Sequence, residues 1–442
     1  MPTLVYANGA FPDSQGVLLP SDRPNEIVVA TTFGLVSTAD DGITWSLVCE
    51  SGLTTMAAGG MYVMGPAPAH RIYARSDIGA VVSADGGCSW LQGQGDLVSL
   101  PPPQLPVPFD IFPDPSDSNR VYVLAADQDT DSNVFYAFRS LDGGLTYSGP
   151  IYTSSVGTNI TGIESSMSEP RIIYMTLYEI ASDPLMPLGP MVVHPRLAQS
   201  LDGGATWTTK DLQAGIGNAI PWLVGVDPTD ARKIILRLTS PAGVADQYEG
   251  IAMTKDAGTT WTTPLKIPRG VLTGFARLSE SNLLAVGATA PPASGELPVP
   301  ALFRSQDGGQ TFATETLPFH PLGMSQRKGT AFVATKDIAD GYALTSSADG
   351  GRTWTPRLRF RDISSIKECV RTTCQSACTY LAGVKLFPSG VCSDRLPPKK
   401  TEGCGCAVGS RLGKARCSSL DLVPLVVVLG AFGAFRSRRN RN

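Results

Sequence analysis

Residues 200–207 read SLDGGATW, and six further stretches repeat the same pattern: TADDGITW (38–45), SADGGCSW (83–90), SLDGGLTY (140–147), TKDAGTTW (254–261), SQDGGQTF (305–312) and SADGGRTW (347–354). In each, a hydroxyl residue is followed by an aspartate, a glycine, a second hydroxyl residue and an aromatic, in the order [ST]-x-D-x-G-x-[ST]-[WYF]. The aspartates are Asp40, Asp85, Asp142, Asp202, Asp256, Asp307 and Asp349, spaced 42 to 60 residues apart. That period suits one four-stranded propeller blade with loops of variable length. The flanks agree: EIVVATT then GLVSTADDG, and RVYVLAA then VFYAFRSLDGG, read as a second and third strand with the motif as the turn into a fourth. DPSDSNR (114–120) and DPTDARK (227–233) supply turn chemistry between first and second strands.

Each motif position has a mechanical reading. Asp202 accepts backbone N–H groups of its own loop. Gly204 takes a positive φ without steric cost. Ser200 and Thr206 close the hairpin, and Trp207 begins the fourth strand as an apolar plug between sheets, a place shared by Trp45, Trp90, Trp261 and Trp354. Seven copies argue against catalysis, because an active site needs one constellation and not one per blade. The motifs are scaffold.

The 442 residues carry a net charge of −3. Residues 399–442 hold nine Lys/Arg against Glu402 and Asp421, so the body before them is acidic and offers no electrostatic footprint for nucleic acid. Seven of nine cysteines follow residue 368, and the three histidines are scattered. Zinc or redox chemistry is therefore a poor reading, and an oxidising, exported setting the better one. The first residues, MPTLVYANGAFPDSQG, contain neither a basic n-region nor a long apolar segment, so no export signal is visible in this chain.

The seven motifs closely resemble the Asp-box, or bacterial neuraminidase repeat, of sialidases, xyloglucan-cleaving glycosidases, sortilin-type receptors and photosystem assembly factors. The resemblance covers about residues 16–358. It implies a β-propeller with the boxes on the outer rim, and it implies no single activity. Sialidase is disfavoured: that family is six-bladed and begins with an Arg-Ile-Pro-like element, whereas the nearest string, His70-Arg71-Ile72-Tyr73, lies in the second repeat without the proline. Tyr248-Glu249, read as part of a loop between second and third strands, is a weak nucleophile pair. Xyloglucan-type glycosidases pair two seven-bladed propellers around a cleft, and this chain has one. No catalytic residue is assigned; Glu164 and Glu169 in GIESSMSEP read as turn caps in preference to glycosidase carboxylates.

Asp127, Asp129 and Asp131, with Asn133, alternate along a loop and form a weak calcium candidate; a solvated acidic loop is the preferred reading, and no cofactor is expected. PPPQLPVP (101–108) and LPVP (297–300) read as extended connectors. Cys49 and Cys88, in adjacent repeats, are expected to form a disulfide. Cys369, Cys374, Cys378 and Cys392 are expected to form two more among themselves, in one of three connectivities. Residues 363–383 read as a helix, with Ser365 and Glu368 at capping-box spacing.

The chain then runs through Cys404, Cys406 and Cys417 to an apolar stretch, LVPLVVVLGAFGAF (422–435), and ends with Arg436, Arg438, Arg439 and Arg441. A cysteine motif, a short apolar helix and an arginine cluster resemble the C-terminal sorting signal of myxobacterial surface proteins. That resemblance implies export, transient membrane insertion, a processing protease and anchoring at the cell surface. The expected organisation is an all-β, seven-bladed propeller over 1–358, a cystine-rich helical module over 359–398, and a linker with the sorting helix over 399–442. The expected role is recognition of an extracellular glycan or protein, with a glycoside hydrolase as the competing class.

Overall fold

Each repeat folds as a four-stranded antiparallel meander, and seven such sheets make the propeller. A computed structural model describes residues 13–392 except 50–61, 77–78, 100–105, 128–133, 182–191, 242–243, 245 and 292–295. Blade 1 holds β1 (Ser14–Leu18), β2 (Ile27–Thr31), β3 (Gly34–Thr38) and β4 (Trp45–Cys49). Blade 2 holds β5 (Tyr62–Met64), β6 (Ile72–Ser76), β7 (Gly79–Ser83) and β8 (Leu91–Gln92), followed by β9 (Gln94–Gly95) and α1 (Asp96–Ser99). Blade 3 holds β10 (Val107–Pro113), β11 (Val121–Ala126), β12 (Phe135–Ser140) and β13 (Thr146–Thr153). Blade 4 holds β14 (Thr158–Ser165), β15 (Ile173–Ala181), β16 (Val192–Ser200) and β17 (Thr208–Asp211), then α2 (Gln213–Ile216). Blade 5 holds β18 (Ile220–Val226), β19 (Ile234–Thr239), β20 (Tyr248–Thr254) and β21 (Thr262–Pro268). Blade 6 holds β22 (Val271–Arg277), β23 (Leu283–Thr289), β24 (Val299–Ser305) and β25 (Ala313–Thr316). Blade 7 holds β26 (Pro321–Arg327), β27 (Thr330–Thr335), α3 (Asp337–Asp340), β28 (Leu344–Ser347) and β29 (Thr355–Leu358).

First strands of neighbouring blades touch one another, β1 with β5 and β26, β10 with β14, and β14 with β18, which places them at the axis. The second and third strands are the most apolar and the most buried: all five residues of β2 are buried, as are most of β11, β23 and β27. Burying about 25 cal/mol per Å² of apolar area between facing sheets is the main drive of this architecture.

The repeated turns close the third and fourth strands and also lock one blade onto the previous one. In the turn at 200–207, Asp202 Oδ1 accepts from Ser200 Oγ (2.8 Å), Ala205 N (3.0 Å) and Thr206 N (2.8 Å), and Oδ2 accepts from Thr206 Oγ1 (2.6 Å). Gly204 N donates to Ser200 Oγ (2.8 Å), and Trp207 Nε1 reaches Ile151 O of blade 3 (2.9 Å). The second glycine has no room for a side chain: a Cβ on Gly351 would stand 2.9 Å from Leu302 of blade 6, and one on Gly309 2.4 Å from Met253 of blade 5. Cations of the preceding blade plug the turn carbonyls. Arg139 reaches Gly203 O (2.8 Å), Lys210 reaches Ala257 O (2.7 Å), and Arg357 meets both Asp41 O (3.4 Å) and its carboxylate (2.5 Å).

Blade 1 takes all four of its meander strands from the N-terminal side, so the ring closes without a shared strand. Instead, Arg327 at the end of β26 donates to Arg23 O (3.1 Å), Glu26 O (2.6 Å) and Pro24 O in blade 1, and Ser14 Oγ donates to Thr335 O (2.5 Å). The chain after blade 7 adds a strap. β30 (Ile363–Ile366) lies parallel to β4 as a fifth strand of blade 1, and α4 (Arg371–Gly383) packs behind it. The predicted helix over 363–383 therefore begins only at 371. Ile363 and Ile366 are buried against blade 1, and that packing outweighs the capping-box spacing of Ser365 and Glu368. Lys367 Nζ donates to Gly86 O (2.9 Å), filling for the turn of blade 2 the place that Arg139 and Lys210 fill elsewhere.

The disulfides differ from expectation. Cys49 pairs with Cys374, Cys88 with Cys369, and Cys378 with Cys392. Cys49 and Cys88 do not join each other because the strap runs between them and offers each a partner. Of the four later cysteines, only Cys378 and Cys392 pair among themselves. Residues 393–442 lie outside the described residues, including Cys404, Cys406, Cys417, the apolar run 422–435 and Arg436, Arg438, Arg439 and Arg441. Among the described residues, no helix is long and apolar enough to cross a membrane.

Candidate functional site

An antiparallel meander puts the repeated turns and the first-to-second-strand turns at one end of every blade. The loops between second and third strands, with the connections between blades, share the other end. Long variable loops and α3 occur at this second end, so chemistry particular to this chain concentrates there.

At that end of blades 4 to 6, Trp222 on β18 is the one exposed tryptophan among the described residues, with 41% of its surface open. Its Nε1 donates to Thr239 Oγ1 (2.9 Å), which fixes the indole plane. Opposite it in register, Arg237 makes a two-pronged contact with Glu249 (2.9 and 2.7 Å), and Glu249 Oε2 also accepts from Leu272 N of blade 6 (2.7 Å). In blade 4, Glu179 accepts from Thr158 Oγ1 (2.8 Å) and pairs with Arg196 (3.2 Å). Ile180, Val192, Val271 and Leu297 are exposed on the same end. A fixed aromatic plane among apolar side chains, bordered by oriented guanidinium and carboxylate groups, suits ligands with apolar faces and polar edges.

A second cluster sits at the seam of blades 7 and 1. Asp340, its side chain 2% exposed, accepts from His320 N and Lys336 N (both 3.0 Å) and meets His320 Nδ1 at 2.7 Å. Burial pushes the carboxyl of Asp13 up to about 6; the charge of Lys336 pulls it down, while Asp340 and Asp337 push it up. Burial also raises Asp337, although that carboxylate accepts from Phe360 N (3.1 Å). A buried carboxylate orienting a half-open imidazole, beside a second carboxyl that holds its proton well above its usual range, can donate and accept protons. At the opposite end, a cavity of about 920 Å³ opens between blades 5, 6 and 7, floored by Val224, Phe275 and Met324 and edged by the Asp227–Arg277 pair (2.5 Å).

The structure disperses several sequence candidates. Tyr248 and Glu249 are the first residues of β20 and not part of a loop; Lys266 sits over the Tyr248 ring and Glu249 is held by Arg237. Arg71 donates to Ser118 O (2.8 Å) at the turn end. Glu164 lies on β14 and accepts from Val226 N of blade 5 (3.0 Å), so it bridges blades where a turn cap was expected. Asp129, Asp131 and Asn133 lie outside the described residues, and Asp127 alone of that run is described. Among the described residues, no three His, Cys, Asp or Glu side chains are grouped to hold a metal. Trp222, His320, Asp340 and Asp13 escaped the sequence reading. Trp222 lies in an apolar run, IPWLVGV, that looks like core, and the dyad joins residues 20 apart.

No family model matches the chain. Among curated proteins, it is similar to xyloglucanase Xgh74A of Acetivibrio thermocellus, with 28% identity over 251 residues, covering 51% of this chain and 28% of the relative. The chain thus matches little more than a quarter of that relative's length. Among solved structures it is similar to the GH74 xyloglucanase of Xanthomonas campestris, with a TM-score of 0.54, 14% identity, and coverage of 79% of this chain and 55% of that one. It also matches YCF48 from Cyanidioschyzon merolae, with a TM-score of 0.46, 12% identity, and coverage of 75% and 94%. The likeness to the Xanthomonas structure places the fold among propellers.

Proposed function

We infer that this chain is an exported Asp-box propeller that binds an extracellular polysaccharide across the end carrying Trp222. The observation that carries the reading is the exposed, hydrogen-bonded indole of Trp222, flanked by the Arg237–Glu249 pair. Pyranose rings stack their C–H faces on such a plane while their hydroxyls bond to fixed charged groups at its sides. The similarity to a protein named xyloglucanase supports a neutral, β-linked glucan as the first polymer to try. Three disulfides support an oxidising compartment. Surface anchoring through the arginine-ended tail belongs to the same reading and rests on sequence resemblance alone.

Affinity electrophoresis in gels containing xyloglucan, with the parent chain and Trp222→Ala, tests the binding. Retardation of the parent and loss of at least tenfold affinity in the variant are expected. Equal mobility with and without polymer, across a panel of neutral and acidic glycans, refutes it.

A second reading, hydrolysis, is favoured by the raised carboxyl of Asp13 beside the His320–Asp340 dyad. Reducing-end assays on the same polymers, repeated with Asp13→Asn, decide between the two.

A further inference from the structure

Six of the seven first strands bear a β-bulge, and the residue that resumes the register is Gly16, Asp110, Gly162, Gly225, Gly274 or Gly323. Five glycines and one aspartate therefore share one ring position. At two of these positions a side chain would strike the next first strand: a Cβ on Gly274 would stand 2.7 Å from Met324 N, and one on Gly323 2.7 Å from Gln15 O, whereas Gly16 and Gly225 have open space. Asp110 places a carboxyl in that narrow gap, where it accepts from its own strand at Ile111 and from Ile163 N on β14. Glu164, two residues past Gly162, repeats the move one blade on, accepting from Val226 N of β18 (3.0 Å). Ile163 and Val226 each follow the residue that ends a bulge, so two carboxyls cap two N–H groups next to those bulges.

We propose that Asp110 and Glu164 form a pH-responsive seam across blades 3, 4 and 5, tight while the pair holds a proton and loosened when both carboxyls are ionised. Neutral groups also bridge first strands: Thr161 Oγ1 donates to Pro221 O (2.5 Å) in the same seam as Glu164, and Thr273 Oγ1 to Pro321 O (3.0 Å) between blades 6 and 7. Among the described residues, no cation contributes to the environment of either carboxyl. On the flanking elements, Asp114 is held by Arg120 (3.2 Å), Asp227 by Arg277, and Glu179 by Arg196. Tyr122 on β11 and Tyr174 and Tyr178 on β15 have hydroxyls pushed upward by burial and stay neutral. From blade 2, β6 brings Tyr73 and Arg75, neither of which bonds to Asp110. Burial raises Asp110 to about 6; burial raises Glu164 to about 8, and the charge of Asp110 adds to it. With folded-state values above the unfolded ones, the stabilisation is complete in acid and is lost as the pH climbs through 6 and then 8.

Thermal unfolding of the full chain at pH 5.5 and pH 9 tests the seam, in the parent and in Asp110→Gly and Glu164→Gln. Glycine at 110 is the residue the ring position already accepts five times, and glutamine keeps an acceptor for Val226 N. The parent Tm should fall by roughly 5 °C or more between the two conditions. At least one variant should lose half of that fall, with slower exchange of the Ile163 and Val226 amides at pH 9 than in the parent once intrinsic exchange is corrected. A parent Tm that is level or higher at pH 9, or a fall that both variants keep in full, overturns the proposal.

Discussion

Breaking the Cys49–Cys374 bond measures how the ring is closed. The bond joins residues 325 apart, but Cys88–Cys369 already joins residues 281 apart on the same strap. With that second bond intact, the circuit closed by Cys49–Cys374 runs through residues 49–88 and 369–374, about 44 residues, worth about 4 kcal/mol of unfolded-chain entropy. Removing both strap bonds should cost about 10 kcal/mol by the same relation. The Cys378–Cys392 bond closes a loop between residues 14 apart, worth about 3 kcal/mol. Paired alanine substitutions at each bond, followed by equilibrium guanidinium unfolding, give the three losses directly. Alanine suits Cys49 and Cys374, which are fully buried among apolar neighbours. The ordering is the critical readout: both strap bonds together, then Cys49–Cys374 alone, then Cys378–Cys392. A loss below about 1 kcal/mol for Cys49→Ala with Cys374→Ala would mean that unfolded chains are not held by the strap, and the closure argument fails.

Other expectations concern the turns, the seam and pH. Gly351→Ala meets both Leu302 and a φ of +84° and should cost about 2–3 kcal/mol, whereas Gly350→Ala, with φ +74° and open space, should cost about 1 kcal/mol; urea midpoints compare the two. Arg327→Lys should lose about 3 kcal/mol, because an ammonium cannot span the blade 1 carbonyls that the guanidinium fork reaches; equal stability of the lysine variant would show the contacts to be idle. The turn aspartates respond to pH in the opposite sense to the axial pair. Burial alone would raise Asp40, but hydrogen bonds from Thr38 and Thr44 outweigh it and bring the carboxyl to about 2; in Asp202 the hydrogen bond from Thr206 leads, also to about 2. Their stabilisation is present above the usual carboxylate range and lost as the pH falls toward 2, so stability against pH should peak between about 4 and 6; a maximum above pH 8 in a Tm profile would contradict both assignments.

The blade count was legible because the turn chemistry is local: an aspartate, two hydroxyls and a glycine satisfy one another within eight residues and need nothing distant. The face opposite was legible only by exclusion. What places Trp222 in solvent is its neighbours' contour, and nothing in IPWLVGV separates it from a core tryptophan. Cysteine partners were hidden for a similar reason, since pairing Cys49 with Cys374 requires the strap to double back over blade 1 through contacts of β30 that its four residues barely announce. Asp110 was more accessible. A lone carboxylate in VPFDIFP, at the place where other first strands carry glycine, is a departure that aligning the repeats on their strands would have exposed.

The strap also sets where force would travel. Tension applied beyond residue 392 passes through Cys392 to Cys378, then along α4 into Cys374 and Cys369, and so into blades 1 and 2 by covalent bonds. Blade 7, which precedes the strap in the chain, lies off that path, and its hydrogen bonds are not peeled strand by strand. A pull beyond residue 392 would thus be borne by the first blades, tightening a clasp where it would otherwise unzip a sheet.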